Sequence, residues 1–202
     1  MNLFFTSDTH FGHRNIITYC NRPFKSVTEM DETIIKNWNN TVGKDDLVYH
    51  LGDFAYGKNT TVDYLRRVRL RLNGKIELIN GNHEALAHEL AKEPCQHFVN
   101  VQDYKELNIN GQKIILFHYG MRTWHHDLRG AWHLYGHSHD RLKPYGKSFD
   151  IGVDSWNFKP LSYEEVKKEM DKREIAKDLP TFSCNECRKF PCRCKEEDGV
   201  WK

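Results

Sequence analysis

Short apolar runs, each closed by a glycine or a tight polar turn, recur along the chain. Leu3-Phe4-Phe5-Thr6-Ser7 is apolar enough to be a strand buried on both faces. Leu47-Val48-Tyr49-His50-Leu51 and Lys75-Ile76-Glu77-Leu78-Ile79 predict two further strands. Helical periodicity lies between them. Met30, Ile34, Ile35 and Trp38 form one stripe, with Thr28 and Asp31 as the expected capping box. Val62, Leu65, Val68 and Leu72 form another, behind Thr60 as cap, with Arg66, Arg67, Arg69 and Arg71 on a solvated face. A short helix is expected through about Lys92. Tyr104 to Ile109 and Gln112 to Phe117 predict a hairpin about Asn110-Gly111, a strong turn signal. Ala131 to Tyr135 and Ser148 to Val153 read as later strands. Ser162 and Glu165 predict a capping box on a last helix, and the fold is expected to end near Ala176.

Ligand-type residues follow five of these apolar runs: Asp8 and His10, then Asp53, then Asn82 and His83, then His118, then His137 and His139. Active groups in sheet proteins gather at strand C-terminal ends, where the loops leave a crevice. The i, i+2 spacing of Asp8/His10 and of His137/His139 would aim each pair at one spot if the chain stayed extended. Gly136 would allow close backbone approach there. The donors are all nitrogen or oxygen. That suits Mn²⁺ first, with Fe, Zn²⁺ or Ni²⁺ as alternatives. Leaving His83 aside, seven ligands exceed one tetrahedral ion and suit two ions about 3.5–4 Å apart that share a carboxylate.

Composition narrows the reading little. Of 202 residues, 39% are hydrophobic, enough for one substantial domain with a core, and the formal net charge of +2 gives no strong footprint for nucleic acid or membrane. No run reaches the roughly 18 apolar residues of a membrane span. The opening Met1-Asn2-Leu3-Phe4-Phe5 lacks the basic region of a signal peptide. With Cys20 and Cys95 far apart, the expectation is a reduced, cytoplasmic protein.

Asp8-Thr9-His10, Gly52-Asp53, Gly81-Asn82-His83-Glu84, His118 and Gly136-His137-Ser138-His139 resemble the five ordered signatures of the calcineurin-like metallophosphoesterase superfamily. The opening Asp-Thr-His-Phe-Gly-His-Arg-Asn-Ile-Ile is similar to that of a branch of small bacterial and phage enzymes, and nucleases related to Mre11 open similarly. The match runs over about residues 3 to 170. The resemblance implies an α/β fold, a four-layer αββα sandwich of two mixed sheets. It implies one metal on Asp8, His10, Asp53 and His139 and a second on Asp53, Asn82, His118 and His137. Asp53 would bridge, and a shared hydroxide would attack phosphorus. His83 would be the catalytic histidine that protonates the leaving oxygen or steadies phosphoryl charge. Adjacent Glu84 is expected to hold its tautomer.

Gly52-Asp53-Phe54-Ala55-Tyr56 lacks the arginine that phosphoprotein phosphatases carry after this aspartate. That disfavours a protein phosphatase. A phosphodiester of a nucleotide or nucleic acid is the expected substrate. The alternatives are a phosphomonoesterase acting on a small metabolite or nucleotide, and a non-catalytic scaffold of the same fold. Candidate phosphate or base contacts are His13, Arg14, Arg122, Trp124, His125, His126 and Arg129; for Trp124 the competing reading is a buried loop anchor. His50 and His133, within strands, are expected in the core or just behind the metal ligands. The expected domain covers residues 1–176. Residues 177–202 form a Cys-rich tail in which Cys184, Cys187, Cys192 and Cys194 could hold a structural Zn²⁺.

Overall fold

In the computed structural model, residues 1–58 and 60–176 are described. The tail and its four candidate zinc ligands lie outside the described residues. The first half runs β1 (Leu3–Thr6), α1 (Arg14–Tyr19), α2 (Val27–Thr41), β2 (Leu47–His50), α3 (Val62–Arg71), β3 (Lys75–Ile79) and α4 (Ala85–Ala91). The second runs β4 (Asn100–Gln102), β5 (Tyr104–Ile109), β6 (Gln112–Phe117), β7 (Trp132–Tyr135), β8 (Ser148–Asp150), β9 (Leu161–Ser162) and α5 (Tyr163–Asp171).

The strands form two mixed sheets. The first has the order β4-β3-β2-β1-β9, with β9 antiparallel to β1 and the other pairs parallel. The second has the order β5-β6-β7-β8, antiparallel only across the hairpin. That hairpin has the expected register, Ile109 opposite Gln112, with Asn110 at φ 51° and Gly111 at φ 84°. Two left-handed residues in succession match the twist of the flanking strands, which is why Asn-Gly stands there.

Alternate residues of the buried strands feed two cores. Phe5, Tyr49, Leu51 and Ile79 face the second sheet and meet Ile114, Leu116, Trp132, Leu134 and Phe149. Phe4, Val48, Ile76 and Leu78 face the other way and take the helices, including Ile34, Trp38, Leu65, Val68 and Leu90. Both faces are covered, so these strands read as continuous apolar runs. Trp38 is fully buried and its indole N–H donates to Asn73 O at 2.9 Å. Truncating such a residue to alanine costs about 3–5 kcal/mol. On the outer face of the second sheet, Ile115 packs against Trp124 and Ala131.

Several boundaries shift. α2 is capped by Ser26, which accepts from Glu29 N at 3.1 Å, two residues earlier than Thr28. Asp31 instead turns inward to Gly12 N and Tyr64. α3 is capped by Thr61, not Thr60, whose hydroxyl donates to Tyr56 O at 3.2 Å. Both shifts have one cause: neighbouring Ser and Thr compete for the same amides, and tertiary contacts decide. α5 carries the expected Ser162–Glu165 capping box. α1, β4 and β9 are too short to have a periodicity of their own.

Candidate metal centre

At the ends of β1, β2 and β7 the chain leaves the extended conformation at once. Asp8, His10, Asp53, His137 and His139 have φ of 57°, 50°, 55°, 65° and 46°. Left-handed non-glycine residues are costly and cluster at functional sites. The turns brace each other: Asp8 N donates to Gly52 O and His10 N to Asp53 O, both at 3.0 Å. His137 N donates to Asp8 Oδ2 at 2.9 Å, and His83 N to Asp53 Oδ1 at 3.0 Å. Glycine is required where two turns touch. A Cβ on Gly136 would stand 1.9 Å from Ser7 Oγ and 2.4 Å from Asp8 Oδ2.

This bracing brings the expected ligands together, but not as the spacing suggests. His137 and His139 do not face one spot, because positive φ at both ends the extended geometry between them. Asp8, His10 and His139 form one cluster of converging ligand atoms; Asp53, His118 and His137 form another. Asp53 joins them, with Oδ2 3.5 Å from His10 Nε2 and Oδ1 3.7 Å from His118 Nε2. Asn82 Oδ1 lies 3.2 Å from His118 Nε2.

Three of the imidazoles have their inner nitrogen engaged. His118 Nδ1 donates to Leu51 O at 2.6 Å, His139 Nδ1 bonds Asp154 Oδ2 at 2.7 Å, and His10 Nδ1 bonds His13 Nδ1 at 3.3 Å. In the neutral ring a proton on Nδ1 leaves Nε2 a bare lone pair. His10 Nε2 is buried without a hydrogen-bond partner. Around His118, the lone pairs of Nε2, Asn82 Oδ1 and Asp53 Oδ1 face one another with no donor between them. Such convergence fits divalent cations on a nitrogen and oxygen donor set.

Burial and close packing displace the protonation of these groups when no cation is bound. Burial pushes the Asp8 carboxyl well above the usual range, with His139 opposing and Asp150 and Asp53 adding to the rise. Burial, with Arg22 and neighbouring imidazoles, holds His10 well below the ordinary histidine value. Burial also opposes charge on His139, yet hydrogen bonds to Asp154 and Cys20 and the Asp8 carboxylate outweigh it and hold its pKa at about 10.

Other carboxylates shape the turns without joining either cluster. Glu84 accepts from Asp53 N, and from Phe54 N and Gly81 N at 3.3 Å each. It therefore clamps two ligand turns, and its bonds run to backbone rather than to His83. Burial and the Asp53 charge lift it to about 7. Asp150 accepts from Ser138 Oγ at 2.5 Å and Gly152 N at 2.7 Å, and shapes the His137–His139 turn. Arg22 and Asp154 were not anticipated from sequence; their pairing spans 132 positions and leaves no local signal.

The rim residues divide. His83 lies 5.8 Å from His10 and 4.0 Å from the Tyr56 ring, centroid to centroid. His13 is buried against His10, and burial with the His83 and Arg22 charges lowers its pKa to about 4. Tyr119 lies 4.7 Å from His137. Arg14 opens α1 and is exposed. The loop 120–130 is engaged elsewhere. Arg122 stacks 3.7 Å over Tyr145, and His125 bonds Glu106 at 2.8 Å. His126 lies on His125, and Arg129 sits in an exposed 3-10 turn. Trp124 is 8% exposed and its indole N–H donates to Ala131 O at 2.9 Å, which makes it the loop anchor and not a stacking surface for a base. His50 and His133 are core residues: His50 bonds Thr9 Oγ1 at 3.0 Å, and His133 bonds Ile115 O at 3.2 Å.

Two mixed sheets with carboxylates and imidazoles converging at their strand ends define a metal-dependent phosphoesterase architecture. The chain belongs to the calcineurin-like phosphoesterase superfamily, whose domain profile matches residues 1–149. It is 34% identical over 184 residues to an uncharacterized protein of Methanocaldococcus jannaschii, covering 88% of this chain and 96% of that one. It is 26% identical over 192 residues to the gene 66 protein of Mycobacterium phage L5, covering 82% and 92%. Among solved structures, a protein of unknown function from Aquifex aeolicus superposes with a TM-score of 0.64 at 25% identity, over 83% of this chain and 98% of that one. Among the described residues no helix is long and apolar enough to cross a membrane.

Proposed function

We propose that the chain is a binuclear metal-dependent phosphodiesterase acting on a nucleotide or nucleic acid. The observation that carries this reading is Asp53, which turns one carboxylate oxygen toward each of two ligand clusters. Asp8, His10, Asp53 and His139 would hold one cation; Asp53, Asn82, His118 and His137 would hold the other. Mn²⁺ is the first choice on this donor set. Two bound cations supply a water of lowered pKa and neutralise phosphoryl charge.

The remaining work falls to the chain. Asp53 is held in place through its backbone by Glu84 and His10. His83 is held by its amide on Asp53 and its ring on Tyr56, at the cluster's mouth, where it would give a proton to the leaving oxygen. His13 is neutral at pH 7, so it offers a hydrogen bond and no charge. The groups beside His83 are thus imidazoles and a tyrosine, while Arg122 is occupied at Tyr145. A diester, with one negative charge, asks for less cationic contact than a monoester with two. Tyr56 and Tyr119 are 44% and 39% exposed beside His83 and His137, and their rings offer stacking faces for bases. We also assign the protein to the cytoplasm, which fits Cys20 and Cys95 forming no disulfide among the described residues.

Hydrolysis of bis-p-nitrophenyl phosphate and p-nitrophenyl phosphate with Mn²⁺ tests the reading. The diester should be turned over faster. A preference for the monoester would overturn the diesterase assignment. Bound metal with no turnover of either would favour a non-catalytic scaffold.

A further inference from the structure

Arg22 has its side chain fully buried, and apart from a 3.4 Å contact of Nη1 with Met30 Sδ the hydrogen bonds of its guanidinium run toward one half of the metal centre. Nη2 donates to Asp8 O at 2.7 Å and Nη1 to Thr9 O at 3.1 Å, which ties down the left-handed turn that carries Asp8 and His10. Nε and Nη2 donate to the two oxygens of Asp154 at 2.7 and 2.9 Å. Asp154 Oδ2 then takes His139 Nδ1 at 2.7 Å. One buried cation therefore fixes Asp8, His10 and His139, the three members of one cluster, through two arms from opposite ends of the sequence.

The other cluster is supported differently. His118 is oriented by a backbone carbonyl, Leu51 O, and Asp53 by the Glu84 carboxylate on its amide. Arg22 makes no hydrogen bond to either.

Cys20, His139 and Asp154 also converge closely enough to hold a cation. The hydrogen bonding argues against a cage there. Both Asp154 oxygens are taken by Arg22, and a guanidinium at 2.7 Å opposes a second positive charge. The trio serves as a relay that orients His139.

We propose that Arg22 and Asp154 are positioning residues for the Asp8–His10–His139 cation alone, so that the two cations are held with separable affinities. The inference rests on the two-cation reading above. A carboxylate that orients a metal-binding histidine typically accounts for 10–100-fold in metal affinity. A bidentate guanidinium is not replaced by an ammonium, which cannot span Asp154 and both carbonyls at once.

The test is calorimetric titration of Mn²⁺ into chelator-treated full-length protein, with bound metal counted after desalting. Asp154→Asn keeps the side chain's shape and an acceptor but removes its charge; Arg22→Lys keeps charge but removes the fork. Each should weaken one Mn²⁺ equivalent by about 10–100-fold and leave the other within about threefold. The double variant should be little worse than either single one, because both act through one relay. In a His10→Ala background, the remaining equivalent should not respond to Asp154→Asn. Thermal melts of the metal-free variants check folding; if Arg22→Lys unfolds, Asp154→Asn decides alone. Equal weakening of both equivalents, or no change in either, would overturn the proposal. A wild-type protein that binds no Mn²⁺, or one equivalent only, would instead overturn the two-cation reading on which it stands.

Discussion

The crevice floor and the loop 120–130 are both rich in histidine and charge, and the structure uses them in opposite ways. Asp8, His10, Asp53 and His118 are at most 2% exposed, and their polar atoms meet partners from other strand ends. Carboxylates so buried are strongly unfavourable alone and need counter-charge. Arg122, His125, His126 and Arg129 are exposed, and Arg122 and His125 turn to nearby groups, Tyr145 and Glu106, away from the metal centre. An exposed pair like His125–Glu106 contributes about 0–1 kcal/mol. Residue type is shared between the two regions. What separates them is whether backbone geometry forces the side chains inward.

The largest test of that difference is Asp53→Asn. It removes the one charge both clusters share, so turnover of bis-p-nitrophenyl phosphate should fall to background and both Mn²⁺ equivalents should weaken. Steady-state kinetics alongside a metal count checks it. Full activity in this variant would mean that the two clusters are not one centre.

His83→Ala comes next. The ring lies at the mouth of the floor and is outside both ligand clusters. Loss of a general acid should lower kcat by about 10²–10⁴-fold. Metal content should stay at the wild-type value. Loss of metal in this variant would move His83 from the reaction into the cage.

The same contrast explains what was legible in the sequence. The strands, the Asn110-Gly111 hairpin and the Ser162–Glu165 cap are local patterns, and they emerge where local preference and burial agree. The seven expected metal ligands and His83 stood out because each follows an apolar run. Their division between clusters did not follow from the i, i+2 spacing, since left-handed turns replace extended chain at Asp8, His10, His137 and His139. Arg22, Asp150 and Asp154 were silent for a different reason. Arg22 lies in a loop, Asp150 at the end of β8 and Asp154 in a short 3-10 turn, and each acts through a partner that the fold brings near, as Arg22 does with Asp154 across 132 positions. Glu84 was noticed for its neighbour in sequence, while its bonds run to backbone amides of two turns.

Within the loop, Trp124 is the exception, because it is buried. Its ring packs 5.4 Å from His133, and its N–H is satisfied by Ala131 O. Trp124→Ala should cost about 3–5 kcal/mol of stability through the cavity it leaves. Chemical denaturation measures this. Activity per folded molecule should be unchanged, since the side chain faces the outer layer of the second sheet. A raised KM for the diester with stability intact would return Trp124 to the substrate site.

The smallest effect should come from His125→Ala. His125 is half exposed and held by Glu106, itself bonded to Lys113 at 3.0 Å and Tyr104 at 2.7 Å, so the carboxylate keeps partners when the imidazole is removed. Nothing is left buried and unpaired, and surface changes of that kind stay within about 0.5 kcal/mol. KM and kcat for bis-p-nitrophenyl phosphate should match wild type, and the melting temperature should barely move. A several-fold rise in KM at low salt that disappears at high salt would show the loop attracting substrate through charge. Then the boundary between floor and loop would have to be drawn by field as well as by burial.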